Sequence, residues 1–208
     1  MEKVTVMVPA HNEADILDFV LNPLLKWRNV DPKNRLLIVV DDGSTDGTAE
    51  FARKKGVRVI KSDPVSGKNL GKGQAFLSGV NFAEKNGCEI IVTLDADVIR
   101  LEPQDVDFMI SELRQSGKDM LVAPQIEGVS MGELIEESGQ RAVKIKSLTP
   151  EIRKHLLGFG LEPALNHFLT LTVANDLIIR TLPPSQEGGA LFKTDARCKG
   201  NKTKAKGG

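Results

Sequence analysis

Ile90-Ile91-Val92-Thr93-Leu94-Asp95-Ala96-Asp97 is the stretch from which the fold is read: a β-branched apolar run that stops abruptly at two acids. The run does not alternate apolar with polar, as expected for a strand covered on both faces. Three runs of the same kind come before it, at residues 4–8, 36–40 and 57–60. Helical periodicity fills the gaps. Residues 14–27 place Ile16, Leu17, Val20, Leu21 and Leu24 on one stripe, with Pro23 expected to kink the helix or end it early. Residues 48–55 follow Asp46, a candidate N-cap, and stop at Gly56. Residues 74–86 put Ala75, Phe76, Gly79, Val80 and Ala83 on one side and stop at Gly87. Strands alternating with helices make right-handed βαβ units. The expected class is therefore α/β, with a mostly parallel central sheet and helices on both faces.

Working outward, a further helix is expected over 105–115 and a strand over 120–123. After Pro124 the rhythm changes. Residues 125–139 are polar and rich in Glu, and 141–148 are mixed. Helical stretches then fall near 150–157 and 163–174, and a last strand over 177–182 is closed by Pro183-Pro184. There is no internal repeat. A chain of 208 residues fits one domain, expected over 1–192. The tail, 193–208, has too few apolar residues to pack and is expected to be disordered.

Composition narrows the function class. The chain is 40% hydrophobic and 27% charged with a formal net charge of zero. That charge is unevenly placed: Lys193, Arg197, Lys199, Lys202, Lys204 and Lys206 crowd the tail against Asp195 alone, which leaves the body mildly acidic. A nucleic-acid reader, with basic residues lining one face, is not expected. Cys88 and Cys198 form no metal-spaced cluster and read as free thiols in a reducing cytoplasm. The N-terminus lacks a signal-peptide core, and no stretch approaches the roughly 20 apolar residues that span a bilayer. The expectation is a cytoplasmic protein whose membrane contact, if any, is peripheral.

In open α/β sheets ligands bind beyond the carboxyl ends of the strands. Four polar clusters occupy such ends here: Pro9-Ala10-His11-Asn12-Glu13, Asp41-Asp42-Gly43-Ser44, Gly71-Lys72-Gly73 and Asp95-Ala96-Asp97. Their number argues for one composite site. A spacing of two at a strand exit aims both carboxylates of Asp95 and Asp97 to one side, which suits a hard divalent cation that also meets phosphate oxygens. A lone pair of this kind reads more readily as solvated loop acids; the company of the other three clusters reverses that and decides for the cation. Asp42 could accept hydrogen bonds from a nucleobase or a ribose, or simply make a turn. Gly71-Lys72-Gly73 would let backbone approach a phosphate while Lys72 adds charge. Neither a dinucleotide fingerprint nor a Walker A motif is present.

These four clusters resemble, in order and spacing, the family two glycosyltransferases of the GT-A fold. Ser138-Gly139-Gln140-Arg141-Ala142 looks like the SGxRA segment of the polyprenol-phosphate sugar transferase branch, and Gly158-Phe159-Gly160-Leu161-Glu162 resembles a later element of that branch. The resemblance implies a Rossmann-like GT-A domain that moves one sugar from a UDP- or GDP-linked donor with inversion. It implies that Pro9, Ala10, Asn12 and Glu13 line the base and ribose pocket and that Asp42 reads the base edge. Lys72 would then lie near base or phosphate, Asp95 would face ribose or metal, and Asp97 would bind Mg²⁺ or Mn²⁺. Glu162 becomes the candidate base and Arg141 the candidate clamp on an acceptor phosphate, a polyprenyl phosphate among the acceptors considered. Interior ion pairing, or a capping role for Glu162 before Pro163, competes with both assignments.

The sequence also departs from that branch. Val98-Ile99-Arg100-Leu101-Glu102-Pro103 stands where the mannose-transferring members carry Leu-Gln-His-Pro, so the Gln that supports the metal there is missing. His155 and His167 lie on expected helices and read as structural. The processive Gln-x-x-Arg-Trp signature is absent, since the only Trp is Trp27. Three other readings compete: an aspartyl-phosphate phosphohydrolase, a sugar-phosphate nucleotidyltransferase and a catalytically silent nucleotide-sugar binder. Ile99 stands where the phosphohydrolase wants Thr or Val, and Pro9-Ala10-His11-Asn12 is not the Gly-rich, Arg-containing loop of a nucleotidyltransferase.

Overall fold

The computed structural model describes residues 2–124, 138–157, 160–174, 177 and 180–181. The tail and most of the Glu-rich segment therefore lie outside the described residues, as do Gly158 and Phe159. Seven strands make one sheet: β1 (Lys3–Ala10), β2 (Arg35–Asp41), β3 (Arg58–Lys61), β4 (Cys88–Thr93), β6 (Met120–Val122), β7 (Arg141–Lys144) and β8 (Leu171–Val173). Their spatial order is β3-β2-β1-β4-β7-β6-β8. The pairs β1/β2, β1/β4, β2/β3 and β6/β8 are parallel, whereas β7 runs antiparallel to both β4 and β6. Two-residue strands β5 (Val98–Ile99) and β9 (Arg180–Thr181) pair separately.

Helices cover both faces because inward residues alternate along the strands. Val4, Val6 and Val8 of β1 and Leu37 and Val39 of β2 point to one side, where they meet α1 (Leu17–Val30), α2 (Thr48–Lys54) and α4 (Pro103–Gln115). Met7, Ile38, Val40 and Ile91 point to the other, against α3 (Lys72–Lys85) and the short helices α5 (Pro150–His155) and α6 (Leu161–Phe168). Trp27 is wholly buried at the end of the α1 stripe, and its indole N–H donates to Asp107 Oδ1 at 3.0 Å, which satisfies the one polar atom that burial would strand.

The structure corrects four local expectations. Helix α1 does not end early at Pro23. Its apolar stripe continues to Trp27, and Phe19, whose carbonyl loses its helical partner to the proline, is exposed to solvent. Helix α3 begins at Lys72, two residues before the expected start, and so carries Lys72 in its first turn. The mixed segment after Gln140 opens as strand β7 and continues into a 3₁₀ turn, Ile145–Ser147. Residues 163–174 are not one helix: α6 stops at Phe168, and Leu171–Val173 instead pair with Met120–Val122 along β6.

The antiparallel β7 matters most for the site. Its first residue, Arg141, is in register with Thr93, the last of β4, so the chain just before β7 arrives beside the Asp95 cluster. Among the described residues no helix is long and apolar enough to cross a membrane.

Candidate active site

Each parallel strand delivers its following loop to the same rim, where a cleft of about 300 Å³ opens. Pro9, Ala10, His11 and Glu13 line it from the end of β1, and Asp42 from the end of β2. Asn69, Gly71, Lys72 and Ala75 come from the β3–α3 connection, and Asp95, Ala96 and Asp97 from the end of β4.

The Asp95 carboxylate is held from two sides. Lys72 Nζ lies 2.7 Å from Oδ1, and Gln140 Nε2 donates to Oδ2 at 2.9 Å. Gln140 Oε1 accepts from the Asp95 backbone N–H at 2.9 Å as well, so one buried amide grips both the side chain and the main chain of Asp95. Lys72 Nζ also pairs with Glu162 Oε1 at 2.8 Å. Burial works against the Lys72 charge, yet Asp95 and Glu162 outweigh it and raise the lysine pKa.

Asp97 is different. Its Oδ1 is buried and has no hydrogen-bond partner among the described residues. Burial, then the Asp95 charge, lifts the Asp97 pKa to about 6. Glu13 rises to about 6 as well, by burial first and then by Asp97. Both carboxyl groups resist ionising chiefly because they are buried, and secondly because like charges crowd them. The orphaned oxygen of Asp97 fits a divalent cation, which would be its missing partner. No three His, Cys, Asp or Glu side chains among the described residues gather into a closed shell. A Mg²⁺-like ion would need only one or two carboxylates from the protein, with substrate phosphates completing its shell.

Asp42 sits in the cleft wall but is 4% exposed. Its Oδ1 accepts from Ser62 Oγ and from Leu70 N at 3.0 Å, and its Oδ2 from Gly71 N at 2.8 Å. These bonds fold the β3–α3 loop back over Gly43, which adopts a φ of +77° and leaves no room for a Cβ against Asn69 and Gly67. Asn12, with a φ of 58°, does not line the cleft; its Oδ1 accepts from Thr45 N at 2.8 Å and its own N–H donates to Ser44 Oγ at 3.1 Å, tying the β1 loop to the β2 loop.

Arg141 stands behind the cleft rather than in it. Its side chain is wholly buried; Nε donates to Ser138 O at 2.7 Å and a terminal nitrogen to Asn166 Oδ1 at 2.6 Å. Burial lowers its pKa to about 10 against the opposing pull of Glu162 and Asp95.

The family model of Glycosyl transferase family 2 matches residues 5–171, which includes every cluster just described. The chain belongs to that family. Its family 2 domain is 33% identical over 127 residues to an uncharacterized protein of Methanocaldococcus jannaschii, a match that covers 60% of this chain and 47% of the relative. It is 33% identical over 126 residues to a 4,4'-diaponeurosporenoate glycosyltransferase of Staphylococcus aureus, covering 60% of this chain and 32% of that enzyme. The matched part is thus less than half the length of either relative. In three dimensions it is similar to glucosyl-3-phosphoglycerate synthase from Mycobacterium tuberculosis, solved with Mn²⁺, UDP-glucose and phosphoglyceric acid. That match has a TM-score of 0.58 and 25% identity, and it covers 71% of this chain and 58% of the other. TarS of S. aureus has a similar fold, with a TM-score of 0.62, 16% identity, and coverage of 86% and 60%. The GT-A fold expected from the motifs is shared with these structures.

Sequence reading passed over three residues that the structure brings in. Gln140 was visible only as the variable position within Ser-Gly-x-Arg-Ala. Ser62 and Asn166 carry no local signal; each enters the site as a hydrogen-bond partner of a buried charge.

Proposed function

We propose that this chain is the catalytic domain of an inverting glycosyltransferase that moves a single sugar from a UDP- or GDP-linked donor to an acceptor, assisted by Mg²⁺ or Mn²⁺. One observation carries the reading: Asp97, whose Oδ1 is buried without a partner among the described residues, lines the same cleft as Asp95, Lys72 and the strand-end loops. A divalent cation held by Asp97 would neutralise the charge that builds on a diphosphate leaving group.

The chain's own residues supply the rest. Pro9, Ala10 and Glu13 wall one side of the donor pocket, and Asp42 holds the loop that forms the other. Lys72 places a permanent positive charge at the first turn of α3, where helix N-terminal amides also favour phosphate. Glu162, ion-paired to Lys72, stands at the junction of the donor site and α6 and is suited to take the proton of an acceptor hydroxyl. Inversion in one displacement needs that proton removed, unless the acceptor is already anionic, as a lipid phosphate or a phosphorylated acid would be. Arg141 supports the charges of Glu162 and Asp95 from within the core. A lipid acceptor would bring the protein to a cytoplasmic membrane surface.

The test is a panel of UDP- and GDP-sugars with Mn²⁺ or Mg²⁺, following thermal shift and release of nucleoside diphosphate, with phosphorylated small acids, an apolar carboxylic acid and a polyprenyl phosphate as acceptors. Metal-dependent transfer supports the proposal. Binding without hydrolysis or transfer would identify a silent nucleotide-sugar binder, nucleotidyl exchange with pyrophosphate would identify a nucleotidyltransferase, and no binding to any donor would end the proposal.

A further inference from the structure

We infer that Gln140 is a positioning residue of the donor site, and that it divides the labour between the two aspartates. The inference rests on the glycosyltransferase reading above and deepens it. Gln140 is wholly buried, and both ends of its amide engage one neighbour: Oε1 accepts from Asp95 N and Nε2 donates to Asp95 Oδ2, each at 2.9 Å. A primary amide set against an N–H and a carboxylate oxygen of the same residue fixes the strand exit and the side-chain rotamer together. With Oδ1 committed to Lys72 at 2.7 Å, both Asp95 oxygens have protein partners. Among the described residues Asp97 Oδ1, two residues on, has none. Asp95 thus organises Lys72, and through it Glu162, while Asp97 is left as the carboxylate that takes the cation.

The segment that brings Gln140 is shaped for this contact. Gly139 has no room for a Cβ, which would overlap both Asp95 carboxylate oxygens and Lys72 Nζ. Ser138 Oγ donates to Ala123 O at 2.6 Å and accepts from Gln140 N at 3.2 Å, anchoring the segment to the end of β6. Antiparallel β7 makes the approach possible, because it starts level with the end of β4. Hydrogen-bond partners one step behind a metal ligand or a charged reacting group commonly change metal affinity or activity by about 10- to 100-fold when removed.

The experiment compares wild type, Q140M, Q140N, S138A, D95N and the double variant Q140M/D95N. Q140M keeps volume but loses both bonds, and Q140N is one methylene too short to make them together. Mn²⁺ binding in the presence of UDP or GDP is read from the free-ion EPR signal, melting temperature from circular dichroism, and kcat and KM for the donor wherever transfer is seen. Expected is a rise of about tenfold or more in the Mn²⁺·nucleotide dissociation constant for both Gln140 variants. S138A, which loosens the anchor of that segment but leaves the Gln140 amide in place, should lower the melting temperature and raise that constant less than the Gln140 variants do. In the D95N background Q140M should add nothing, since Gln140 acts through Asp95. Unchanged Mn²⁺ binding in Q140M and Q140N, or full additivity with D95N, would overturn the inference alone; should Q140M fail to fold, Q140N decides. Absence of Mn²⁺ binding by the wild type would overturn the parent reading and this one with it.

Discussion

Lys72 and Glu162 meet at 2.8 Å although one opens α3 and the other lies in the first turn of α6, so a single ammonium joins the donor rim to a helix well beyond β7 in the chain. The same Nζ holds Asp95. Removing it sets two carboxylates against each other with no cation between them. K72M is expected to lower kcat/KM on the order of 100-fold, which corresponds to about 3 kcal/mol of transition-state stabilisation. K72R should recover little, because a planar guanidinium does not replace a compact ammonium between two carboxylates. Steady-state kinetics on the preferred donor check this; a variant within about threefold of wild type would show that the bridge is only structural.

Asp97 and Glu13 give the site a pH signature. The Asp97 pKa rises from 3.8 to about 6, and that of Glu13 from 4.5 to about 6. A carboxyl whose folded pKa lies above its unfolded value costs stability as pH climbs from the lower to the higher value, and the cost persists above. Without metal, D97N should therefore be more stable than wild type at pH 7.5, and the advantage should fade as pH falls toward 4. Mn²⁺ reverses the ranking because it needs the ionised form: its stabilisation of wild type should be full above about pH 7 and shrink as pH falls through 6, where protons compete. Differential scanning calorimetry across pH 4–8, with and without Mn²⁺, reads both effects. Equal Mn²⁺ stabilisation of D97N and wild type at pH 7.5 would remove Asp97 from the metal site.

Arg141 is expected to act on stability rather than on acceptor affinity. R141M would remove the donors to the buried Ser138 carbonyl and to the side-chain oxygen of half-buried Asn166, and would take a positive charge away from Glu162 and Asp95. Each orphaned buried acceptor costs about 1–3 kcal/mol. A loss of several kcal/mol in urea unfolding is expected, with KM for the acceptor unchanged in whatever fraction remains folded. A raised acceptor KM at unchanged stability would restore the phosphate-clamp assignment.

Asp42 should behave as the keeper of the β3–α3 loop. D42A removes the acceptor shared by Ser62, Leu70 and Gly71. The loop between Ser62 and Lys72 should then open to trypsin at exposed Lys68, and donor KM should rise by about tenfold or more. Limited proteolysis with mass spectrometry detects the cut, and saturating nucleotide should slow it in wild type but not in D42A. A loop as resistant in D42A as in wild type would show that the pinning bonds are dispensable.

The four strand-end clusters could be placed from the sequence because the physics behind them is local. Unbroken apolar runs report strands covered on both faces, the helical stripes between them demand right-handed βαβ connections, and parallel strands must then present their following loops on one rim. Asp95, Asp97, Asp42, Lys72 and Glu13 thereby share a cleft before any coordinate is known. What only the tertiary structure decided lies after Pro124, where local period stops reporting partners. Arg141–Lys144 is a short run that becomes an interior strand because it finds open backbone edges on both β4 and β6. Its antiparallel direction, set by that long-range pairing, brings Gly139 and Gln140 up to Asp95, buries Arg141 behind them, and leaves α6 to present Glu162 to Lys72. Nothing in the residues of 138–141 states this, since a hydrogen bond across the sheet is fixed by which edge is free and not by the sequence that occupies it.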